Sequence, residues 1–255
     1  MLSKNELKYY SSLLIKKFRL EENKFIVEGK KIVEEALRSD YECEIIIASN
    51  EFAEKEKSFL DSTNKKIRLE KVSNLEFYKL KDTAAPQGIA AVFAKKRVNR
   101  KETEKIKDNL ICCLDNISDP GNVGTILRNC DWFGVKNVLL TENCAEIFNP
   151  KTIRASMGSV FHLNIFEDSR NEDMKKLKKK GYNILCSDLE GENVFSFRFR
   201  KRSLLVFSNE ANGPSKEIIK IADTKLTIPS YGKAESLNVA SASAIILSEA
   251  RKKII

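Results

Sequence analysis

The chain has 255 residues, 42% of them apolar, and carries 45 lysines and arginines against 36 acidic residues for a formal net charge of +9. That length holds two modest domains with packed cores, and the basic balance favours polyanionic partners such as RNA. The six cysteines (Cys43, Cys112, Cys113, Cys130, Cys144 and Cys186) form no CxxC pair, and His162 is the only histidine, which argues against a zinc site and against a disulfide framework. No apolar run is long enough to span a bilayer, and the start, Met1 to Glu6, does not read as a signal peptide. A reduced, cytoplasmic protein with no metal and no membrane partner is expected.

In the first part, residues 1–95, Phe25-Ile26-Val27 reads as a buried strand. Ile32, Val33, Ala36 and Leu37 fall at helical spacing, and Cys43 to Ala48 is an isoleucine-rich strand run. Glu51 to Leu60 is helical in composition, Ile67 to Leu69 alternates like a strand, and Gln87 to Ala94 reads as a last strand. Helices alternating with strands predict a small α/β domain. Arg19 and Lys30, with their basic neighbours Lys16, Lys17 and Lys31, either track an RNA backbone as a group or are solvated charges. The charged, apolar-poor run after Ala94 is read as a linker, residues 96–107.

The second part, residues 108–255, opens on a buried-strand run, Leu110 to Leu114, followed by a polar turn and a helix start. Asp119 and Asn122 are plausible caps there, and Pro120 suits a first helical position. The turn is not GxGxxG and no Walker lysine follows, so a nucleotide-phosphate loop is disfavoured. Arg128 sits in an otherwise apolar helix turn and either pairs with a carboxylate or serves a site. Val138 to Leu140 is a strand, Lys151 to Ser159 a helix closed by Gly158, and Val160 to Phe166 a further strand. The lysines from Lys175 to Lys180 form a solvated helix face, and Tyr182 to Cys186 is a strand. The alternating aromatic and basic residues of Phe195 to Arg202 predict an edge strand or an RNA contact. Leu204 to Phe207 is a buried strand running into Ser208-Asn209-Glu210-Ala211-Asn212-Gly213, which opens another helix. Lys225 to Ile228 is a short strand ended by Pro229. In the following loop Gly232 is expected to take a conformation closed to other residues, and Ser236 to cap the last helix.

Three of these segments, in this order, resemble the motifs of the SpoU (TrmH-like) RNA 2'-O-ribose methyltransferases of the SPOUT class. Asp115-Asn116-Ile117-Ser118-Asp119-Pro120-Gly121-Asn122-Val123-Gly124-Thr125 with Arg128 is similar to motif 1. Glu210 and Gly213 match motif 2, where Ser208 replaces the usual glycine. Ile228-Pro229, Gly232 and Glu235-Ser236-Leu237-Asn238-Val239 are similar to motif 3. Phe18-Arg19, Phe25 to Gly29 and Pro86-Gln87-Gly88 resemble the L30e-like substrate-binding domain that precedes the catalytic domain in many such enzymes.

The resemblance implies an α/β fold: an L30e-like domain at 1–95 and an α/β-knot (deep trefoil) methyltransferase domain at 108–255. It implies an S-adenosylmethionine-dependent RNA 2'-O-ribose methyltransferase, with ribosomal RNA the first choice of substrate and tRNA the second. The alternative is an RNA-binding protein that keeps the fold without catalysis. The implied catalytic residues are Arg128, Asn122, Glu210, Ser236 and Asn238. The implied cofactor contacts are Phe207, Ser208, Asn209, Gly213, Ile228, Ser236, Leu237 and Asn238. Arg19, Lys30, Arg154 and Ser156 are the implied RNA contacts, and no metal is implied. A homodimer through the knot-region helices is expected, because the last helix carries apolar residues around much of its circumference. Arg128 would either orient the phosphate and hydroxyl or accept the proton; a guanidinium is a poor base.

Overall fold

A computed structural model describes residues 2–63, 65–96, 100–209 and 213–254. In chain order the elements are α1 (Lys4–Ser12), α2 (Lys16–Glu22), β1 (Lys24–Glu28), α3 (Lys30–Arg38), β2 (Cys43–Ser49), α4 (Asn50–Lys55), α5 (Lys57–Ser62), β3 (Arg68–Val72), α6 (Asn74–Phe77) and β4 (Ile89–Ala94). After a 3-10 turn at Arg100–Lys105 follow β5 (Leu110–Asp115), α7 (Pro120–Trp132), β6 (Asn137–Leu140), α8 (Pro150–Ser156), β7 (Asn164–Phe166), α9 (Asn171–Lys179), β8 (Asn183–Asn193), β9 (Ser203–Ser208), α10 (Lys216–Ile221), β10 (Thr224–Thr227) and α11 (Val239–Lys253). Among the described residues no helix is long and apolar enough to cross a membrane.

The chain forms two compact units: Met1–Arg97 with Phe148–Phe161, and Val98–Ile147 with His162–Ile255. The first holds a four-stranded sheet in the order β1-β4-β2-β3, with β4 antiparallel to both neighbours and β2 parallel to β3. Successive strand residues point to opposite faces, and β1 uses both. Ile26 joins Leu13, Ile45, Ile47, Phe77 and Val92 in one core. Phe25 stacks on Phe148 at 4.1 Å between ring centroids and on Phe93 at 5.7 Å. The Phe148 stack is one reason the segment 148–161, remote in sequence, packs as part of this unit. Helix α1 begins with a capping box between Ser3 and Glu6.

The second unit holds a six-stranded, all-parallel sheet in the order β10-β8-β9-β5-β6-β7. Parallel strands covered on both faces read as continuous apolar runs, and β5 and β9 are buried along their whole length. One face packs Ile111, Cys113, Ile184 and Val206 against Met174 and Leu177 of α9 and Ile218 of α10. On the other side the Cys112 thiol lies beside that of Cys130 in α7, and α7 lies against α11. All six cysteines are free; burial pushes the Cys186 thiol up to about 11, so it remains a protonated core group.

Three sequence expectations differ from what forms. Phe195 to Arg202 is not a strand. The Lys253 ammonium donates to the carbonyls of Val194, Phe195 and Phe197 at 3.3, 2.8 and 3.2 Å, taking acceptors that a ladder would need. Val160 to Phe166 is strand only at Asn164–Phe166, after a 3-10 turn at Ser159–Phe161. The last helix is capped by Asn238, not Ser236: the Asn238 side chain accepts from the backbone N–H of Ala240 and Ser241.

Candidate active site

At the carboxyl ends of β9 and β10, where open α/β sheets bind ligands, lies a cavity of about 590 Å³. Ser208, Asn209, Gly213, Ile228, Ser236 and Leu237, all expected as cofactor contacts, line it. Gly213 has φ of +63°, a backbone state that favours glycine. Gly232 also lines the cavity but uses no positive φ, and a side chain there would meet open space, so the conformational reason expected for it does not hold. Phe207 and Asn238, also expected as cofactor contacts, do not line the cavity; the Phe207 ring is fully buried in the sheet. Glu210 lies outside the described residues.

The Ser208 hydroxyl is committed to β5. It donates to Asp115 Oδ2 at 3.3 Å, the same oxygen that accepts the backbone N–H of Ser215 at 3.2 Å. Asp115 is 3% exposed, and its other carboxylate oxygen accepts from Asn116 Nδ2 at 3.0 Å. One buried carboxylate at the end of β5 thus fixes both flanks of the 208–215 loop. Asn116 adds a second tie: its carbonyl accepts from Asn209 Nδ2 at 3.4 Å and its N–H donates to Thr141 Oγ1 at 2.9 Å.

Helix α7 starts beside these strand ends. Asp119 caps it, accepting from the Asn122 N–H at 2.9 Å, with Pro120 in the first turn. The Asn122 side-chain oxygen accepts from Asn238 Nδ2 at 3.0 Å, so the helix start of one motif is bound to the cap of α11. Two turns further, Asn129 Nδ2 donates to the Ala240 carbonyl and to Ser243 Oγ, both at 2.9 Å. Asn122 and Asn129, seven apart, lie on one face of α7 and hold α11 along two turns. Arg128 is exposed, and among the described residues it makes no hydrogen bond or ion pair. The carboxylate partner that would make it purely structural is absent there.

A wall of the cavity comes from a segment that sequence reasoning passed over: Ser187, Asp188 and Leu189. Strand β8 pairs with β10 through Leu185 and Cys186, then again through Glu192 and Asn193, so the residues between leave the ladder. Thr227 Oγ1 donates to the Leu189 carbonyl at 2.9 Å, and Lys225 pairs with Asp188 at 2.7 Å. Burial alone raises the Asp188 carboxyl; the Lys225 bond and the N–H groups of Glu190 and Leu189 outweigh it and hold the carboxyl below its ordinary value. Gly191 was the available signal, since a lone glycine in a strand-like run marks a bulge or close backbone approach.

The four expected RNA contacts all lie in the first unit. Arg19 is 1% exposed, with its guanidinium donating to the Leu13 carbonyl at 2.8 Å. Ser156 is fully buried and donates to the Ile153 carbonyl at 2.8 Å. Neither side chain reaches an RNA, a correction that follows from burial. Lys30 pairs with Glu56 at 2.7 Å and Arg154 with Asp82 at 2.5 Å, and both retain part of their surface. No cluster of metal-ligating side chains occurs among the described residues.

Residues 109–248 match the family model described as the SpoU rRNA methylase family, and residues 4–91 match an MRM3-like substrate binding domain. The chain is 32% identical over 247 residues, 96% of both sequences, to the 23S rRNA (guanosine(2553)-2'-O)-methyltransferase RlmP of Bacillus subtilis. It superposes with a TM-score of 0.84 on a TrmH-family structure from Porphyromonas gingivalis, at 32% identity and 99% coverage of both chains. An AdoMet-bound rRNA methyltransferase from Sinorhizobium meliloti gives a TM-score of 0.86 at 26% identity, covering 100% of this chain and 97% of the other. With both halves matched and residues of the second and third motifs lining one cavity, the chain belongs to the SpoU rRNA methylase family.

Proposed function

We propose that the chain transfers a methyl group from S-adenosylmethionine to a ribose 2'-hydroxyl of ribosomal RNA, with tRNA the second substrate class. The observation that carries the reading is the Asn122–Asn238 hydrogen bond, which sets the helix of Arg128 against the loop that walls the cavity. The cavity fits the cofactor. Its volume of about 590 Å³ lies within the few-hundred to ~1,000 Å³ of small-molecule sites. Leu189, Ile228, Leu237 and Pro214 give apolar walls, and Ser208, Gly213 and Gly232 keep backbone close to the ligand space. When bound, S-adenosylmethionine supplies a methyl group activated by its sulfonium.

The protein's share is alignment and proton removal. A guanidinium keeps its charge in proteins, so we assign Arg128 to orienting the phosphate and hydroxyl by its planar fork, with Asn122, Ser236, Asn238 and Glu210 supporting the geometry. In our reading residues 1–95 bind the RNA, with Lys30 and Arg154 at hand, 96–107 link, and 108–255 thread the trefoil knot and carry the chemistry. The chain acts in the cytoplasm as a homodimer. Trp132, 82% exposed at the end of α7, and the half-buried Ala244 and Ile245 beyond the buried face of α11 support pairing through these helices; light scattering of an active sample should give the mass of two chains.

The test is direct. Purified protein, methyl-labelled S-adenosylmethionine and unmodified 23S rRNA or tRNA transcripts are incubated, and the RNA is digested to nucleosides. A labelled 2'-O-methylnucleoside is expected, and label on a base or none at all would overturn the reading.

A further inference from the structure

Strands β5, β8 and β9 run parallel, with Leu110 and Asn183 both beside Ser203, so their entrances share one rim. There lies a second, open pocket of about 600 Å³, lined by Glu104, Lys105, Lys107, Lys180, Tyr182 and Arg202. It is remote from the first: the six residues of β9 separate the two rims, roughly 15–20 Å at ~3.3 Å per residue. The lining carries four cations and one carboxylate, and that carboxylate is already engaged by Lys176 at 2.8 Å. Arg202 is held in place, donating to the Lys180 carbonyl at 2.8 Å and lying over the Tyr182 ring at 5.8 Å. Tyr182 is itself fixed by its hydroxyl, which donates to the Asp108 carbonyl at 2.6 Å.

The segment that leads into this cavity is the aromatic and basic run whose expected strand does not form. Its backbone is pinned by the three carbonyl bonds to Lys253, and the rings of Phe197 and Phe199 meet edge to face at 5.0 Å. Arg198, Arg200 and Lys201 are exposed, and among the described residues none of them forms a hydrogen bond or ion pair. Arg198, Arg200 and Lys201 precede Arg202 along the chain, and Arg202 shares the cavity lining with Lys105, Lys107 and Lys180. A run of positive charge interleaved with aromatic rings suits a phosphodiester strand better than a single small anion.

We propose that this rim is a second RNA site, holding the phosphate backbone of the substrate away from the methylated nucleotide. The proposal rests on the RNA methyltransferase reading and adds a contact on the catalytic unit that the substrate-binding domain does not supply. It implies that a minimal oligonucleotide around the target ribose leaves the rim empty, and that affinity depends on flanking RNA.

The test uses the full chain carrying Lys105→Gln, Lys107→Gln and Lys201→Gln together. The one ion pair these three lysines make among the described residues is the 3.8 Å contact of Lys105 with Glu102, so folding should be preserved, which a thermal melt checks. Binding to a 23S rRNA transcript is measured by filter binding across a salt series. At ~0.7 per phosphate for single strands, three lost contacts lower the log–log salt slope by about 2. Affinity at low salt falls on the order of tenfold, while S-adenosylmethionine binding and the single-turnover rate at saturating RNA stay unchanged. An unchanged slope and affinity overturn the second site while leaving the methyltransferase reading intact; a wild-type protein that binds no rRNA overturns that reading first. Phosphatidylglycerol vesicles form a further arm: vesicle binding lost in the triple variant, with rRNA binding untouched, would assign the rim to a lipid surface and overturn RNA as its occupant.

Discussion

Replacing Gly191 with alanine should damage cofactor binding from outside the family motifs. A Cβ at this position would stand 2.5 Å from the Lys225 carbonyl oxygen, 2.6 Å from its carbon and 3.0 Å from the Leu226 nitrogen. All three are backbone atoms of β10, so no rotamer change relieves the clash. An ordinary carbon–oxygen contact is about 3.3 Å or more, so the two chains must separate by most of an ångström. Overpacking of this kind costs about 1–3 kcal/mol. The cost falls on the 187–191 excursion and on β10, whose next residues, Thr227 and Ile228, line the cavity together with Ser187 to Leu189. If half of it appears in the bound state, S-adenosylmethionine affinity drops about 2- to 12-fold, at 1.4 kcal/mol per factor of ten. Calorimetric titration gives the affinity, and a thermal melt gives the stability lost alongside. Gly191→Ala binding the cofactor as tightly as the parent, with an unchanged melting temperature, would refute the claim that this bulge walls the site.

Asn238→Ala removes both the cap of α11 and the bond to Asn122, so it should cost about 0.5–2 kcal/mol and at least tenfold in methyl transfer; Asn238→Ser should restore the melting temperature but not the rate, because serine caps but lacks the amide that reaches Asn122. Arg128→Ala should lower single-turnover methyl transfer on the order of 10²-fold and leave melting temperature and S-adenosylmethionine affinity unchanged, since Arg128 holds no ion pair among the described residues; a parallel loss of stability would point to a structural role. Asp115→Ala leaves the Ser208 hydroxyl and Ser215 N–H without their acceptor, a cost of about 1–3 kcal/mol for buried groups, and should weaken cofactor binding in titration. Asp188 has its carboxyl held below the usual range, so its contribution is present above about pH 4, its unfolded value, and is lost as pH falls through the lower folded value. Urea unfolding between pH 5 and pH 3 should therefore show a shallower loss of stability in Asp188→Asn than in the parent, and equal slopes would contradict the assignment.

Much of the architecture is legible because the central strands announce themselves. Leu110 to Leu114 and Leu204 to Phe207 are uninterrupted apolar runs, as strands buried on both faces must be, and the second feeds a polar turn that lines the cavity. What misled was decided by partners far away in sequence. Ser236 and Asn238 are equally good caps by type; the cap is Asn238, whose amide also reaches Asn122 across 116 residues. Phe195 to Arg202 has strand composition, but Lys253 takes its carbonyls. Arg19 looks like a surface charge until its guanidinium is found buried under the Leu13 carbonyl. The Ser208 hydroxyl likewise finds its partner far off, in Asp115, 93 residues away. The excursion at Ser187 to Leu189 left one trace, Gly191, and strand-like composition on both sides masked it.

If the Asn122, Arg128 and Asn238 constellation directs methylation of a ribose 2'-oxygen in RNA, maps of 2'-O-methyl positions will show it. These are made across all rRNA and tRNA from cells with the gene, without it, and with only the Arg128→Ala form. One or a few ribosomal RNA positions should be methylated with the gene and unmethylated both without it and with the Arg128→Ala protein. Identical 2'-O-methylation maps in all three, or full methylation restored by Arg128→Ala, would contradict that role.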